Sequence, residues 1–197
     1  MVSQTVFRSD ETFTQESFRL WLDERPASDL NHYELLNGRI VMTPPAGWPH
    51  GRLEATLVRI IGAHVEATKS GLVLGSSTGY DLPSGDTVEP DVSFIAQARF
   101  DAGPPPERGR FLRIVPTLIV EILSPATAKR DRTEKRAIYA RNGIDEYWLV
   151  DPDRQNITVY TLTADSYDDG HTVASGALPS AVLPDLHLRV DDVCAPA

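Results

Sequence analysis

PTLIVEILSPATAKRDRTEK, residues 116–135, is the stretch from which the fold of this chain can be read. Leu118, Ile119, Val120, Ile122 and Leu123 make a nearly continuous apolar run, the pattern of a strand buried on both faces. Glu121 interrupts it. A carboxylate left unpaired inside such a strand is costly or shifts its pKa, so Glu121 needs a cation, a metal ion or an exit to water. Ser124 and Pro125 stop the strand, and a polar helical segment carrying Lys129, Arg130, Arg132, Lys135 and Arg136 follows at once. A carboxylate near a strand end, with lysines returning on the next element, is a layout suited to an active site.

Outward from this stretch, Asp131 and Glu134 form a capping-box-like pair that predicts the helix start, and Asn142-Gly143 predicts its end. Residues 144–151 and 157–162 then read as adjacent strands joined by a turn over 152–156. Upstream, Phe18, Trp21 and Leu22 stand at helical spacing within 14–25, and Pro26 closes that helix. Asn37-Gly38, flanked by 32–36 and 39–42, is the dipeptide best suited to a two-residue type I′ hairpin. A proline-rich loop over 43–49 leads to His50. Leu53, Leu57, Ile60, Ile61 and Val65 mark one face of a helix over 51–69, with Gly71 suited to its cap. Strands are expected over 72–78 and 87–96, the second containing Glu89-Pro90-Asp91-Val92. Residues 97–110, with Pro104 to Pro106, read as a surface loop, and the weakly patterned 183–193 as edge structure.

The order of elements predicts one α/β domain over residues 1–197, a mixed central β-sheet flanked by helices with an N-terminal β-hairpin, its motif-bearing core at about 30–162. Its 197 residues suffice for one core, and 41% hydrophobic content is ordinary. No apolar run is long enough to span a bilayer, and MVSQTVFRSDETF lacks the order of a signal peptide, so a cytoplasmic location is expected. Cys194 is the sole cysteine, which excludes an intrachain disulfide and a cysteine-based zinc site. The net charge of −9, from 19 Lys and Arg against 28 Asp and Glu, argues against broad electrostatic binding of nucleic acid. A local basic groove, or carboxylates neutralised by a divalent metal, remains compatible with it.

Neither a phosphate-cradling glycine loop nor a G-x-S-x-G elbow is present. The remaining chemistry is a set of carboxylates, Glu34, Asp91 and Glu121, with His50, Lys129 and Lys135 as companions. Hard cations such as Mg²⁺ take one or two carboxylates plus waters and substrate phosphate oxygens, and a metal so held lowers the pKa of bound water.

Pro90-Asp91 followed by Glu121 resembles the PD-(D/E)xK signature of the restriction-endonuclease-like superfamily. YELLNGRIVMTPP (33–45), His50, EPDVSFI (89–95), VEILSPAT (120–127), the Asp131/Lys135/Tyr139 spacing and EYWLVDP (146–152) together resemble the Uma-type family of restriction endonucleases. The resemblance implies a restriction-endonuclease-like fold and a metal-dependent endonuclease acting on nucleic acid, DNA first. It implies that Asp91 and Glu121 hold Mg²⁺ or Mn²⁺, with His50 beside the metal, Glu34 as a further acid and Lys135 as the catalytic lysine. One departure stands out: period-2 alternation would put the superfamily lysine at 123, where this chain has Leu123. A homodimer follows by analogy with nucleases that cut two strands through two-fold symmetry.

Each residue also has a structural alternative. Asp91 could be a strand-entry residue, Glu121 could pair with a cation of the basic helix, and Glu34 could face solvent. His50 could be structural, and Lys135 could form an exposed pair with Asp131. Asp131 reads as the helix cap, and Tyr139 as packing or site wall. On the functional side, a catalytically silent binding or assembly protein keeping the nuclease fold is the alternative to an enzyme. A carboxylate-pair glycosidase has no support beyond the acids.

Overall fold

The computed structural model describes residues 7–194. The first six residues of the stretch read for a signal peptide, and the last three of the expected domain, lie outside the described residues. In chain order the elements are β1 (Phe7–Arg8), α1 (Gln15–Asp23), β2 (His32–Leu36), β3 (Arg39–Thr43), α2 (His50–Thr68), β4 (Gly71–Gly75), β5 (Tyr80–Asp81) and β6 (Thr87–Val88). There follow β7 (Val92–Ala96), α3 (Gln97–Ala102), β8 (Leu118–Ile122), α4 (Ala128–Arg130), a π-helical turn (Asp131–Lys135) and α5 (Arg136–Arg141). The chain closes with β9 (Glu146–Asp151), β10 (Asn156–Thr163), β11 (Ser166–Tyr167), β12 (His171–Val173) and α6 (Val190–Cys194).

These strands build two sheets. The larger runs β11-β10-β9-β8-β7-β4, with β12 also on β10, and the smaller runs β1-β3-β2-β6-β5. Only β8 and β9 pair in parallel within the larger sheet, and α4, the π turn and α5 are the crossover between them. The mixed sheet flanked by helices is therefore as expected.

Strand β8 sits in the middle of the large sheet and alternates as its sequence requires. Leu118, Val120 and Ile122 pack with Leu53, Leu57, Ile61 and Val65 of α2 on one face. Ile119 and Leu123 pack on the other with Ile138, Tyr139 and Tyr147, and with Leu36 and Val41 of the hairpin. Glu121 belongs to this second face, between the two sheets. Burying each of these aliphatic side chains stabilises the fold by about 1.5–3 kcal/mol, so the register of β8 is strongly fixed.

The hairpin turns as predicted, with Asn37 at φ 51° and Gly38 at φ 74°. Helix α1 is capped by Thr14 and Ser17. Other expectations need correction. The strand expected over 87–96 is two strands in two different sheets, because Pro90 has no N–H to continue a ladder. Glu89, Pro90 and Asp91 therefore bridge the sheets. Lys69, not Gly71, takes the left-handed cap of α2 at φ 53°. Gly71 opens β4, where a Cβ would collide with the Ile95 carbonyl oxygen. The surface loop begins with α3, anchored by Arg99 to the Pro116 carbonyl and to Asp145. Asp131 is not a helix cap: the helix starts at Ala128, and Asp131 lies buried in the π turn.

The C-terminal segment is core rather than edge. Leu178, Leu183, Leu186, Leu188, Val190 and Val193 cover the α2 face of the sheet. Glu146 holds this cover in place by accepting hydrogen bonds from Ser180 Oγ and the Ala181 N–H, both at 2.7 Å. It accepts a third from Trp148 Nε1 at 2.8 Å.

Candidate active site

Between the two sheets a cavity of about 460 Å³ opens, walled by the loop from Thr43 to Pro49 on one side and by Ser124, Pro125, Pro152 and Asp153 on the other. Its floor is built by strand register. Val92 of β7 pairs with Val120 of β8, so Asp91 stands beside Glu121 one step further on. The Asp91 Oδ2 accepts the Ile122 N–H at 2.6 Å, which ties the two acid-bearing strands together at that point. Glu34 enters from β2 of the smaller sheet, and its Oε1 accepts the Glu89 N–H at 3.0 Å.

Lys135 joins the sheets electrostatically. Its Nζ lies 2.5 Å from Glu121 Oε1 and 2.9 Å from Glu34 Oε1. The Tyr139 hydroxyl donates to the same Glu121 Oε1 at 2.5 Å. The π turn explains how one helix supplies both cations of the floor. Its wider i to i+5 spacing lets Arg130 and Lys135, five positions apart, reach one carboxylate, with Arg130 Nη2 at 3.8 Å from Glu34 Oε2.

Burial sets the protonation chemistry. It pushes the Glu121 carboxyl well up, against the pull of Lys135. It pushes Asp131 up to about 6, again against Lys135. Burial alone would lower the Lys135 ammonium, but Glu121, Glu34 and Asp131 outweigh it and hold the proton firmly. His50 Nε2 lies 3.1 Å from Asp91 Oδ2; burial lowers its pKa, yet the hydrogen bond and charge of Asp91 raise it overall. His32 pairs with Glu89 at 3.0 Å, and that bond raises it too.

Glu34, His50, Asp91, Glu121 and Lys135, all candidates on sequence, line this one cavity. Glu34 does not face solvent and Lys135 is not an exposed helix residue, since both are buried. Glu121 does pair with a lysine of the basic helix, as its structural alternative expects, and it also lines the cavity. Lys129 is absent from the lining. Leu123 lines the cavity as an apolar neighbour, on the same face as Glu121.

On sequence Arg130 was one cation of the basic helix and not a site candidate, Tyr139 read as packing or site wall, and Asp131 as a cap. The signal for Tyr139 and Asp131 was their four-residue spacing from Lys135, which puts them on its face. Glu89, His32 and Glu54 also line the cavity or bond its walls; Glu89 stood in the EPDVSFI block without a role assigned to it, and nothing in the local patterns of His32 and Glu54 marked them.

The donor set is all oxygen and imidazole, suited to a hard divalent cation rather than to a soft one. Among the described residues no group of three or more His, Cys, Asp or Glu is drawn together as a complete metal cage. Asp91 and Glu121 are adjacent, however, and Mg²⁺ is commonly bound by one or two carboxylates with waters and substrate oxygens completing the shell. The residues present fit such a cation in that mode. The lining acids Glu34, Glu54, Glu89, Asp91, Glu121, Asp131 and Asp153 outnumber Arg130 and Lys135, so an anionic substrate needs further positive charge to enter.

A family model described as "Putative restriction endonuclease", Uma2, matches residues 16–191. Among solved structures, the crystal structure of a putative nuclease belonging to DUF820 from Anabaena variabilis ATCC 29413 superposes with a TM-score of 0.74 at 20% identity. The match covers 93% of this chain and 98% of that one. At that identity the likeness is one of fold. No curated protein matches the chain significantly.

Proposed function

The chain belongs to the Uma2 family, and from that premise we propose that it is a divalent-metal-dependent endonuclease that hydrolyses nucleic-acid phosphodiester bonds, with DNA as the first substrate class. The observation that carries the reading is the adjacency of Asp91, just before β7, and Glu121 of the paired β8, tied by the bond from Ile122 N–H, in a cavity that also holds Glu34 and Lys135.

Hydrolysis adds water across one P–O bond: the water oxygen joins phosphorus, and one ester oxygen leaves and takes a proton. A Mg²⁺ or Mn²⁺ ion on Asp91 and Glu121 would supply Lewis acidity toward the phosphate and a more acidic water. The chain's own residues set the frame. Ile122 N–H and His50 fix the Asp91 carboxylate, while Lys135 and Tyr139 fix Glu121. Lys135 also offsets the charge of Glu34, so that two buried carboxylates coexist on the floor. His50, with its pKa raised beside Asp91, can hold a proton at the cavity edge. A cut in both strands of a duplex would call for a two-fold dimer of this chain.

The test is cleavage of single-stranded and duplex DNA and RNA in Mn²⁺, compared with Glu121→Gln and Asp91→Asn. Cleavage by the wild type alone supports the reading. Intact substrates, together with no heat of Mn²⁺ binding, would sink it. One observation favours a second reading, a silent binding module: Lys135 is 2% exposed and wholly engaged by carboxylates, as in a structural ion cluster. That reading expects no thermal shift in Mn²⁺.

A further inference from the structure

Lys135 lines the cavity, but its side chain is only 2% exposed and its ammonium is held by Glu121 and Glu34. Arg130 differs from it. Its side chain lines the cavity at 12% exposure, and its Nη2 donates to Thr43 Oγ1 at 3.0 Å. Its nearest carboxylate oxygens are Glu34 Oε2 at 3.8 Å from Nη2 and Asp131 Oδ1 at 3.9 Å from Nε, both beyond hydrogen-bond reach. Arg130 Nε, Arg130 Nη1 and Asp131 Oδ1 have no hydrogen-bond partner among the described residues. Buried donors without partners are rare because they forfeit hydration and gain nothing in return. A guanidinium kept in that state has spare binding capacity.

We propose that Arg130, rather than Lys135, is the cation that meets the substrate phosphate. The inference rests on the phosphodiesterase reading and names the residue that would stabilise its transition state. The Nε–H and Nη1–H donors lie on opposite edges of the guanidinium, and one of them, together with the Nη2–H that Thr43 leaves free, makes a fork matched to two non-bridging oxygens of a phosphate. With these nitrogens buried, the side chain must turn about its Thr43 tether to reach an incoming anion. The bond to Thr43 has a charged donor and a neutral acceptor, whereas a phosphate adds a charged acceptor and a second parallel bond, so the anion is held more strongly than the hydroxyl. Lys135 then acts as a positioning residue, holding Glu121 and Glu34, while Arg130 faces the charge that develops on phosphorus oxygens. The chain has Leu123 just past the end of β8, where period-2 alternation would put a lysine on the face of Glu121, and Arg130 supplies a cation to the same floor from the next element.

Two measurements test this. In Mn²⁺, Arg130→Ala is expected to lower kcat on a DNA oligonucleotide by about 100-fold or more, the usual effect of losing one transition-state donor. KM should change far less, Arg130→Lys should recover part of the loss, and added guanidinium ion should rescue the alanine variant. In parallel, the Nε–H resonance of Arg130 should shift saturably when inorganic phosphate is titrated into the wild type. A folded Arg130→Ala protein with unchanged kcat overturns the proposal and leaves the nuclease reading standing. Should the alanine variant fail to fold, the kcat of Arg130→Lys, expected between the two, takes its place. Should the wild type cleave nothing, the nuclease reading falls, and the phosphate titration alone decides: a saturable shift upholds anion binding at Arg130, and a flat response overturns it.

Discussion

Lys135 Nζ and Glu121 Oε1 lie 2.5 Å apart, with side chains only 2% and 6% exposed, so a π turn on one element and a central strand on another are joined by an ion pair nearly out of reach of water. Such a pair is expensive to assemble and more expensive to break on one side, because the survivor is left as a buried unpaired charge.

Replacing Lys135 with Met is therefore expected to destabilise the protein by about 3–5 kcal/mol in urea unfolding at neutral pH. Combining it with Glu121→Gln should cost less than the sum of the single changes, because the double variant buries less uncompensated charge. Strict additivity would show that the pair is not coupled.

Tyr139→Phe removes the hydroxyl that donates to Glu121 Oε1 and leaves the ring packed against Tyr147, 5.0 Å between centroids. A hydrogen bond to a charged group contributes about 1.5–3 kcal/mol, so a fall of that size in unfolding free energy is the expected outcome. A variant as stable as the wild type would mean that Lys135 alone satisfies the carboxylate.

The pH dependence follows from Asp131. Burial raises its carboxyl to about 6 against the opposing pull of Lys135, whereas the unfolded chain returns it to about 3.9. Between those values the native state binds the proton that the unfolded state has lost. This contribution therefore makes stability fall as pH rises through that window and level off above it. Glu121, also raised by burial, acts in the same sense. Urea midpoints for Asp131→Asn should show a flatter slope than the wild type between about pH 4 and pH 6.

Metal binding should carry the opposite pH signature. A Glu121 carboxyl pushed up by burial must lose its proton before it can serve as a ligand, so Mn²⁺ affinity should rise with pH and binding should release protons. Calorimetry in buffers of different ionisation enthalpy reads that release directly. An affinity indifferent to pH would place the ion away from Glu121.

Much of this architecture was legible from local pattern. Asn37-Gly38 set the hairpin because few residues accept two successive positive φ angles. The apolar face of α2 and the run around Glu121 marked the core because burial imposes their periods. The π turn was not legible, since an inserted residue changes spacing without changing composition. Nor was the role of residues 183–193, whose apolar side chains cover the sheet without a repeating period.

The sequence by itself determined that a carboxylate stood in a central strand, that Asp91 and Glu34 could join it, and that no lysine occupied 123. Only the tertiary structure decided which cation answered which acid. Pro90 ends one sheet's ladder and starts the chain toward another, and the cavity forms in the gap that this handover leaves. Strand register then put Asp91 beside Glu121, and the π turn sealed Lys135 while leaving Arg130 donors unpaired. These are relations between segments distant in sequence, fixed by packing and register, and no local spacing carries them.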